Sequence, residues 1–337
     1  MAEDEGMTYS DAGVDIADSE AATAALLGAV GEHSDQEGDS DYAGLIDIGE
    51  RYLALATDGV GTKLLVAEAV DDYSTVGIDC IAMNANDLVA AGIEPVAFVD
   101  YLAIDEPDDA TAEQIGTGLA DGARTAGIAL VGGETAVMPE VVSGLDLAGT
   151  CAGLAPKGAV FPGNAKAGDA LVGFPSDGIH SNGLTLARKA VTKQHDYADP
   201  FPVSDDQRTI GETLLEPTRI YTDLLDPLWN HDTHAAAHVT GGGWTNLPRM
   251  GAFRYVITDP FEYQPVFEFI QTEGNVTDEE MHRTFNMGTG FVAALPSDDA
   301  ESIVKNTDGR IIGRVENTDT EAGQVEIRGL TLPENNS

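Results

Sequence analysis

The sequence is short of positive charge. Seventeen lysines and arginines stand against 58 aspartates and glutamates in 337 residues, a formal charge of −41. A field of that sign repels phosphate backbones, which argues against nucleic acid as a partner. The acids are spread along the chain, in clusters such as Asp71-Asp72, Glu106 to Asp109 and Asp298-Asp299, where turns or helix starts are expected. This is the pattern of a solvated surface working at high salt, where screening tames self-repulsion. A halophilic source is the hypothesis that follows. It predicts loss of structure in low salt, and full stability there would remove it.

Cysteine is scarce as well. Cys80 and Cys151 are the only two, each in an apolar stretch without a second cysteine or histidine at metal spacing. They read as small buried hydrophobes, against a disulfide scaffold or a zinc site. No apolar run approaches the roughly 18 residues that span a bilayer, so no membrane partner is expected. The acidic start, Met1 to Gly6, lacks the basic and apolar regions of a signal peptide, and a cytoplasmic protein is expected. No tight internal repeat is visible. What is present is 42% hydrophobic residues, ordinary for a globular enzyme, and a length that allows two domains, each with its own core.

Patterning predicts a strand over 51–57, a helix from about Thr62 to Val70, a helix from about Asp79 to Ala91 and a strand over 96–103. A helix over 111–126, a short strand over 128–131 and a strand over 145–154 follow. The segment 156–167, rich in Gly, Pro and Lys, reads as the linker between an N-terminal domain (1–155) and a C-terminal domain (168–330). The second half predicts strands over 170–174, 291–295 and 310–315, and a helix from about Leu184. The tail from Asn317 is expected to add one edge strand. The alternation is looser than in a doubly wound sheet, so a mixed α/β (α+β) fold is expected.

Five segments carry candidate chemistry. In the turn Thr57 to Lys63, Gly59 and Gly61 let backbone approach a ligand, and the helix start at Thr62 offers free N–H groups to an anion. Asp58 suits Mg²⁺ and Lys63 suits a phosphate; the pattern is not a Walker A loop, and it reads equally as a structural turn. Asp79 and Asp87 fall about two helical turns apart, so one helix can present both. Asp79 reads equally as a helix cap. Asp87, after Asn86 and before an apolar run, reads as a metal or phosphate ligand. Gly132, Gly133 and Glu134 follow a strand and suit a phosphate or metal lip, or a plain turn.

Ser176 to Gly183 packs Ser, Asp, His, Ser and Asn between glycines, a loop able to grip a sugar phosphate, with His180 titrating near neutrality as a candidate proton shuttle. Gly241, Gly242 and Gly243 are costly in a row unless backbone must bend or meet a ligand. Arg249 just beyond them reads as a phosphate partner or a surface residue. The run Arg283 to Gly290 reads as structural more readily than as ligand-binding.

In order along the chain, DGVGTK at 58–63, AGIEPVAFVDY at 91–101, GGETA at 132–136, HSNG at 180–183, EPTRIY at 216–221, HVTGGG at 238–243 and RTFNMGTG at 283–290 resemble phosphoribosylformylglycinamidine cyclo-ligases, or AIR synthetases. The likeness starts at Tyr9 to Asp15. It implies a two-domain fold, in which the N-terminal mixed sheet closes a barrel across a homodimer, and ATP-dependent ring closure of formylglycinamidine ribonucleotide. By the resemblance, Asp58 and Asp87 serve Mg²⁺–ATP and act in catalysis, with Asn86, Asp79 and Glu134 beside the nucleotide. His180, Ser181 and Asn182 would meet the substrate. Three departures stand out: a short segment at 39–45, Leu27 in place of a lysine, and Val137 in place of a glutamate. Related kinases or synthetases, of the thiamine-monophosphate kinase and selenophosphate synthetase types, share the acids of the first half, but HSNG, HVTGGG and RTFN together are not expected of them. A non-catalytic acidic binding protein has no need of Asp58, Asp87 and His180 in glycine loops.

Overall fold

The computed structural model describes residues 6–8, 13, 21–26, 29, 42–203, 207–319 and 322–332. Residues 39–41 of the first departure, Leu27 and most of the Tyr9–Asp15 segment lie outside the described residues. The first half builds five strands, β1 (Gly44–Asp47), β2 (Arg51–Gly59), β3 (Glu94–Ile104), β4 (Ala129–Val137) and β5 (Leu145–Pro156), in the order β1-β2-β5-β3-β4. Only the β3–β4 pair is parallel. The second half builds β6 (Ala170–Pro175), β7 (Ala235–His238), β8 (Arg254–Ile257), β9 (Thr289–Leu295), β10 (Arg310–Glu316), β11 (Gln324–Ile327) and β12 (Leu330–Leu332), in the order β12-β11-β8-β10-β6-β9-β7. The tail therefore adds two strands instead of the expected one: β11 runs parallel to β8, and β12 forms the edge.

Three helices of the first half position the site. A 3-10 turn over Gly61–Lys63 leads into α1 (Leu64–Val70), and α2 (Val76–Ala90) is followed by α3 (Asp109–Ala126). Asp108 caps α3 by accepting the Thr111 N–H at 2.7 Å, and Gly127 ends it in the left-handed conformation, as its sequence signals require. Helices α2 and α3 cross at glycines. A Cβ on Gly77 would lie 2.2 Å from the Leu119 nitrogen, and one on Gly118 2.6 Å from the Ser74 carbonyl oxygen. The first half thus presents one face of its sheet to α2.

Helix α2 is apolar almost all round, which marks it as an interior element. Along its whole length only a few positions escape full burial. One hydrophobic cluster runs from Leu45 and Ala54 through Ile81 and Leu88 to Trp244, Tyr255 and Val325, across both halves, and a second gathers Val172, Phe174, Tyr221 and Phe291 of the second half with Val89 and Ala90 at the end of α2. Both cysteines are buried and free, and burial pushes the Cys151 thiol up to about 12, so both are inert hydrophobes as the sequence suggested.

Candidate active site

Because α2 is enclosed by both halves of the chain, each polar residue on it must find a partner. Asp79 sits with the Lys63 ammonium 2.9 Å from both its oxygens, and neither side chain is exposed to solvent. The same carboxylate accepts the Thr218 N–H at 2.8 Å and its hydroxyl at 2.6 Å. Lys63 also donates to the Glu216 carbonyl oxygen at 2.6 Å. Burial pushes the Lys63 ammonium below its ordinary range, against the pull of Asp79. Sequence reasoning gave Lys63 and Asp79 to the nucleotide; the structure corrects this, because the pair is spent on a buried brace to the 216–221 segment. Asp79 is not the helix cap either, since Thr75 occupies that position.

Asn86 has the same kind of role. Its amide donates to the Arg219 carbonyl and accepts the Tyr221 N–H, both at 2.8 Å, so this expected cofactor residue is an organiser of the EPTRIY segment. Asn84, on the neighbouring turn, donates to the Asp58 carbonyl at 3.2 Å and ties α2 to the end of β2. These contacts explain why the helix carries Asp79, Asn84 and Asn86 where an apolar core would otherwise favour leucine.

Asp58 and Asp87 lie close enough for the charge of one to act on the other. Asp58 is open to solvent yet crowded by protein atoms, the situation of a carboxylate on the floor of a cleft. Desolvation first, and then the Asp87 charge, push its carboxyl up to about 6, against the Gly59 N–H at 2.7 Å, which favours the ion. Like charges on two neighbouring acids are the condition that a cation relieves. In Asp87→Asn the Asp58 midpoint, followed by carboxyl carbon NMR, is expected to fall from about 6 toward the ordinary range without reaching it, because desolvation remains. An unmoved midpoint would mean that Asp87 exerts no field there. Among the described residues no group of three or more His, Cys, Asp or Glu could hold a metal unaided.

Glu134 does not join these acids. Sequence reasoning ended the strand at 131 and made a turn of Gly132 and Gly133, but β4 runs on to Val137. Gly133 opposes Asp100 in register, and a Cβ there would lie 2.3 Å from the Asp100 carboxylate. The glycine therefore makes room for a neighbour within the sheet. Along the row Gly59, Ala148, Tyr101, Glu134 three strand spacings separate the end of β2 from β4, about 14 Å. Strand alternation turns Glu134 to the face away from α2.

The second half supplies the opposing loops. His180 adopts φ +61°, and its Nε2 accepts the Asp177 N–H at 3.2 Å. The ring is buried, and its Nδ1 finds no partner among the described residues. Desolvation, with the neighbouring His238 next, lowers its basicity well below the usual histidine range. The residue expected as a proton shuttle is thus an enclosed ring of lowered basicity whose Nε2 is engaged with its own loop. Asn286 staples the start of that loop: it accepts the Ser176 hydroxyl at 2.8 Å and donates to the Gly178 carbonyl at 2.9 Å.

Ser181 and Asn182 are half-buried, and Asn182 reaches the first half. The Ser181 hydroxyl lies 3.3 Å from that of Thr218, and the Asn182 amide 3.7 Å from the Met83 sulfur. Thr62 and Thr185 touch through their hydroxyls at 2.9 Å, joining the two loop systems. Gly241 is exposed with the Asn182 oxygen beside it, whereas Gly242 and Gly243 are buried with φ of +94° and +51°. A Cβ on Gly243 would meet the His282 carbonyl at 2.4 Å, so Gly243 is needed for the turn itself. In the amide orientation that satisfies its neighbours, Asn246 donates to the Gly241 and Gly243 carbonyls at 3.0 Å. A cavity of about 350 Å³ opens beside Asp177 and Gly178 and is lined also by Arg208, Glu216 and Gln264. Arg249 lies elsewhere, over the Tyr42 ring at 5.3 Å, on a cavity of about 460 Å³ beyond the C-terminal end of α2.

One residue that sequence reasoning passed over is central. His238, at the end of β7, has a fully buried side chain and lies 2.9 Å from Asp87 through Nδ1. Its signal was its place before the three glycines, masked because a histidine next to a glycine run draws less notice than the run.

Two layers of mixed sheet, with glycine loops converging on one buried helix, define a class. Residues 40–155 match the family description AIR synthase related protein, N-terminal domain, and residues 166–326 match its C-terminal domain. The phosphoribosylformylglycinamidine cyclo-ligase of Methanosarcina acetivorans is 48% identical over 316 residues, 92% of this chain and 95% of that protein. That of Methanococcoides burtonii is 47% identical over 333 residues, covering 97% and 98%. The chain belongs to the phosphoribosylformylglycinamidine cyclo-ligase family. Solved structures share the fold at low identity. A thiamine monophosphate kinase from Aquifex aeolicus superposes with TM-score 0.64 at 16% identity, covering 91% of this chain and 97% of its own. Escherichia coli HypE, a hydrogenase maturation protein, gives 0.60 at 19%, covering 95% and 98%.

Proposed function

We propose that the protein closes the imidazole ring of formylglycinamidine ribonucleotide with ATP, giving 5-aminoimidazole ribonucleotide, ADP and phosphate, a step of purine biosynthesis. The observation that carries this reading is near-half identity to cyclo-ligases across more than nine-tenths of the chain, with the loops of both halves gathered on α2.

In this reading the formamide oxygen attacks the γ-phosphorus, and ADP leaves. The O-phosphorylated imidate then carries a phosphate leaving group on the carbon that the ring nitrogen attacks. Phosphate departs with the C–O bond and the nitrogen loses its proton. Asp58 and Asp87 fit Mg²⁺: two hard oxygen donors on a cleft floor, the Asp58 carboxyl raised by desolvation and then by the Asp87 charge, with too few donors for a closed cage. A Mg²⁺ ion typically completes its shell with water and substrate phosphates, and when bound it neutralises charge on the transferred phosphoryl group. The chain's own contribution is positioning. Gly59 and Gly61 let backbone approach the nucleotide, while Ser181, Asn182 and Gly241 face the substrate from the other side. His180 and Asn286 hold that loop in shape.

Formation of the aminoimidazole from formylglycinamidine ribonucleotide, ATP and Mg²⁺ tests the reading. A folded protein that binds ATP and yields none would point instead to a kinase of the same fold. No helix among the described residues is long and apolar enough to cross a membrane, and cytoplasmic location is part of the proposal, open to check by fractionation.

The open face of the first sheet supports a homodimer. Ile46, Leu55, Val99 and Tyr101 are 41–49 per cent exposed there, Val99 being the least, four large apolar side chains on one sheet face. Pairing of two such faces would also bring Glu134 into a shared interior. Sedimentation in molar salt is expected to give a dimer. Circular dichroism on dilution to about 0.01 M, where the Debye length is about 30 Å, is expected to report unfolding driven by the acidic surface. A monomer in the first experiment or an unchanged spectrum in the second would overturn the corresponding proposal.

A further inference from the structure

The geometry points to His238 as the positioning residue for Asp87: it fixes one carboxylate oxygen from across the chain so that the other is presented to the cation of the nucleotide. This rests on the reading of Asp87 as a cation ligand.

The tautomer follows from the neighbours. Asn86 accepts the Tyr221 N–H through Oδ1 and donates to the Arg219 carbonyl through Nδ2, so its amide orientation is set by two backbone groups. That places Nδ2, a donor, 3.4 Å from His238 Nε2, which must then be an acceptor. The ring proton resides on Nδ1 and is donated to Asp87 Oδ1 at 2.9 Å. Two consecutive residues of α2 thus hold both nitrogens of one ring. Tyr221 closes on it edge-to-face, with centroids 6.4 Å apart. The imidazole is fully buried, whereas Asp87 keeps 23% exposure, so the carboxylate has one tied oxygen and an open side. Outer partners of this kind orient metal ligands and are typically worth about 10–100-fold in affinity. His238 also begins the 238–243 run, so the contact links the carboxylate to the loop that faces substrate.

The test is calorimetric binding of ATP to the full chain in molar salt, with Mg²⁺ and with chelator, the readout being the gain that Mg²⁺ confers. His238→Asn sets an amide donor near the Nδ1 position; His238→Gln reaches toward Asn86 and leaves Asp87 without its donor. The glutamine variant is expected to lose about tenfold of the Mg²⁺-dependent gain with chelator affinity unchanged, and the asparagine variant to retain most of it. His238→Phe, which keeps a ring against Tyr221, repeats the glutamine comparison in a second packing background. Equal losses with and without Mg²⁺, or a full gain in the glutamine or phenylalanine variant, would overturn the inference. A Mg²⁺ gain that survives Asp87→Asn would overturn the ligand reading itself, a result separable from those of the His238 variants.

Discussion

Lys63→Met is expected to destabilise the fold by about 3–5 kcal/mol, the range for removing one partner of a buried ion pair, and to lower the thermal midpoint accordingly. The methionine fills the space of the lysine stem, so packing is nearly kept. What is lost is the charge that balances Asp79, a carboxylate with no exposed surface, and the donor that holds the Glu216 carbonyl. Against a total stability of about 5–15 kcal/mol, that is enough to unfold a fraction of the chain at ordinary temperature. The double variant Lys63→Met, Asp79→Asn should recover much of the loss. The asparagine carries no charge, and its oxygen still accepts the N–H and hydroxyl of Thr218, the bonds that Asp79 makes now. A single variant as stable as the parent, or a double variant no better than the single, would show that the brace is not what joins α2 to the 216–221 segment. Melting curves in molar salt decide it.

This brace also shows where reading the sequence stops. Lys63 stands beside two glycines and a helix start, where phosphate is a fair guess, and nothing local says that residue 79 and residues 216–218 arrive at the same point. Element types and most positions were legible, because β2, α1, β3, α3, β5 and β6 follow local periodicity, and Gly127, Pro156 and Pro175 mark the ends of α3, β5 and β6. The extension of β4 through Gly132 and Gly133 was not. Its glycines serve a side chain on the adjacent strand, Asp100, which local rules read as a turn. His180 was legible as a special residue and not as an enclosed one, since enclosure is a property of the packed loop. Asp58 and Asp87 were each legible as candidate hard-cation ligands, and it was the resemblance of the motifs that put them at one site. His238 was not legible, because its importance lies in which carboxylate it meets.

Asp58→Asn and Asp87→Ala are each expected to reduce turnover on the order of 10³-fold, about 4 kcal/mol of transition-state stabilisation, while leaving the apo fold intact. The Asp58 variant should in addition be more stable than the parent at neutral pH. The sign follows from the shift. The folded-state carboxyl is raised from 3.8 to about 6, so ionisation is harder in the fold than in the unfolded chain. The penalty is absent below about pH 4, grows between 4 and 6 and is fully present above. Asparagine removes it, and after discounting for a carboxylate that is open to solvent the gain is about 1 kcal/mol at pH 7 and vanishes at pH 4. Inactivity with added stability is the mark of a site held at the expense of the fold. Turnover within tenfold of the parent in both variants would remove these acids from the chemistry, and Asp58→Asn less stable than the parent at pH 7 would mean that its carboxylate is a structural partner instead.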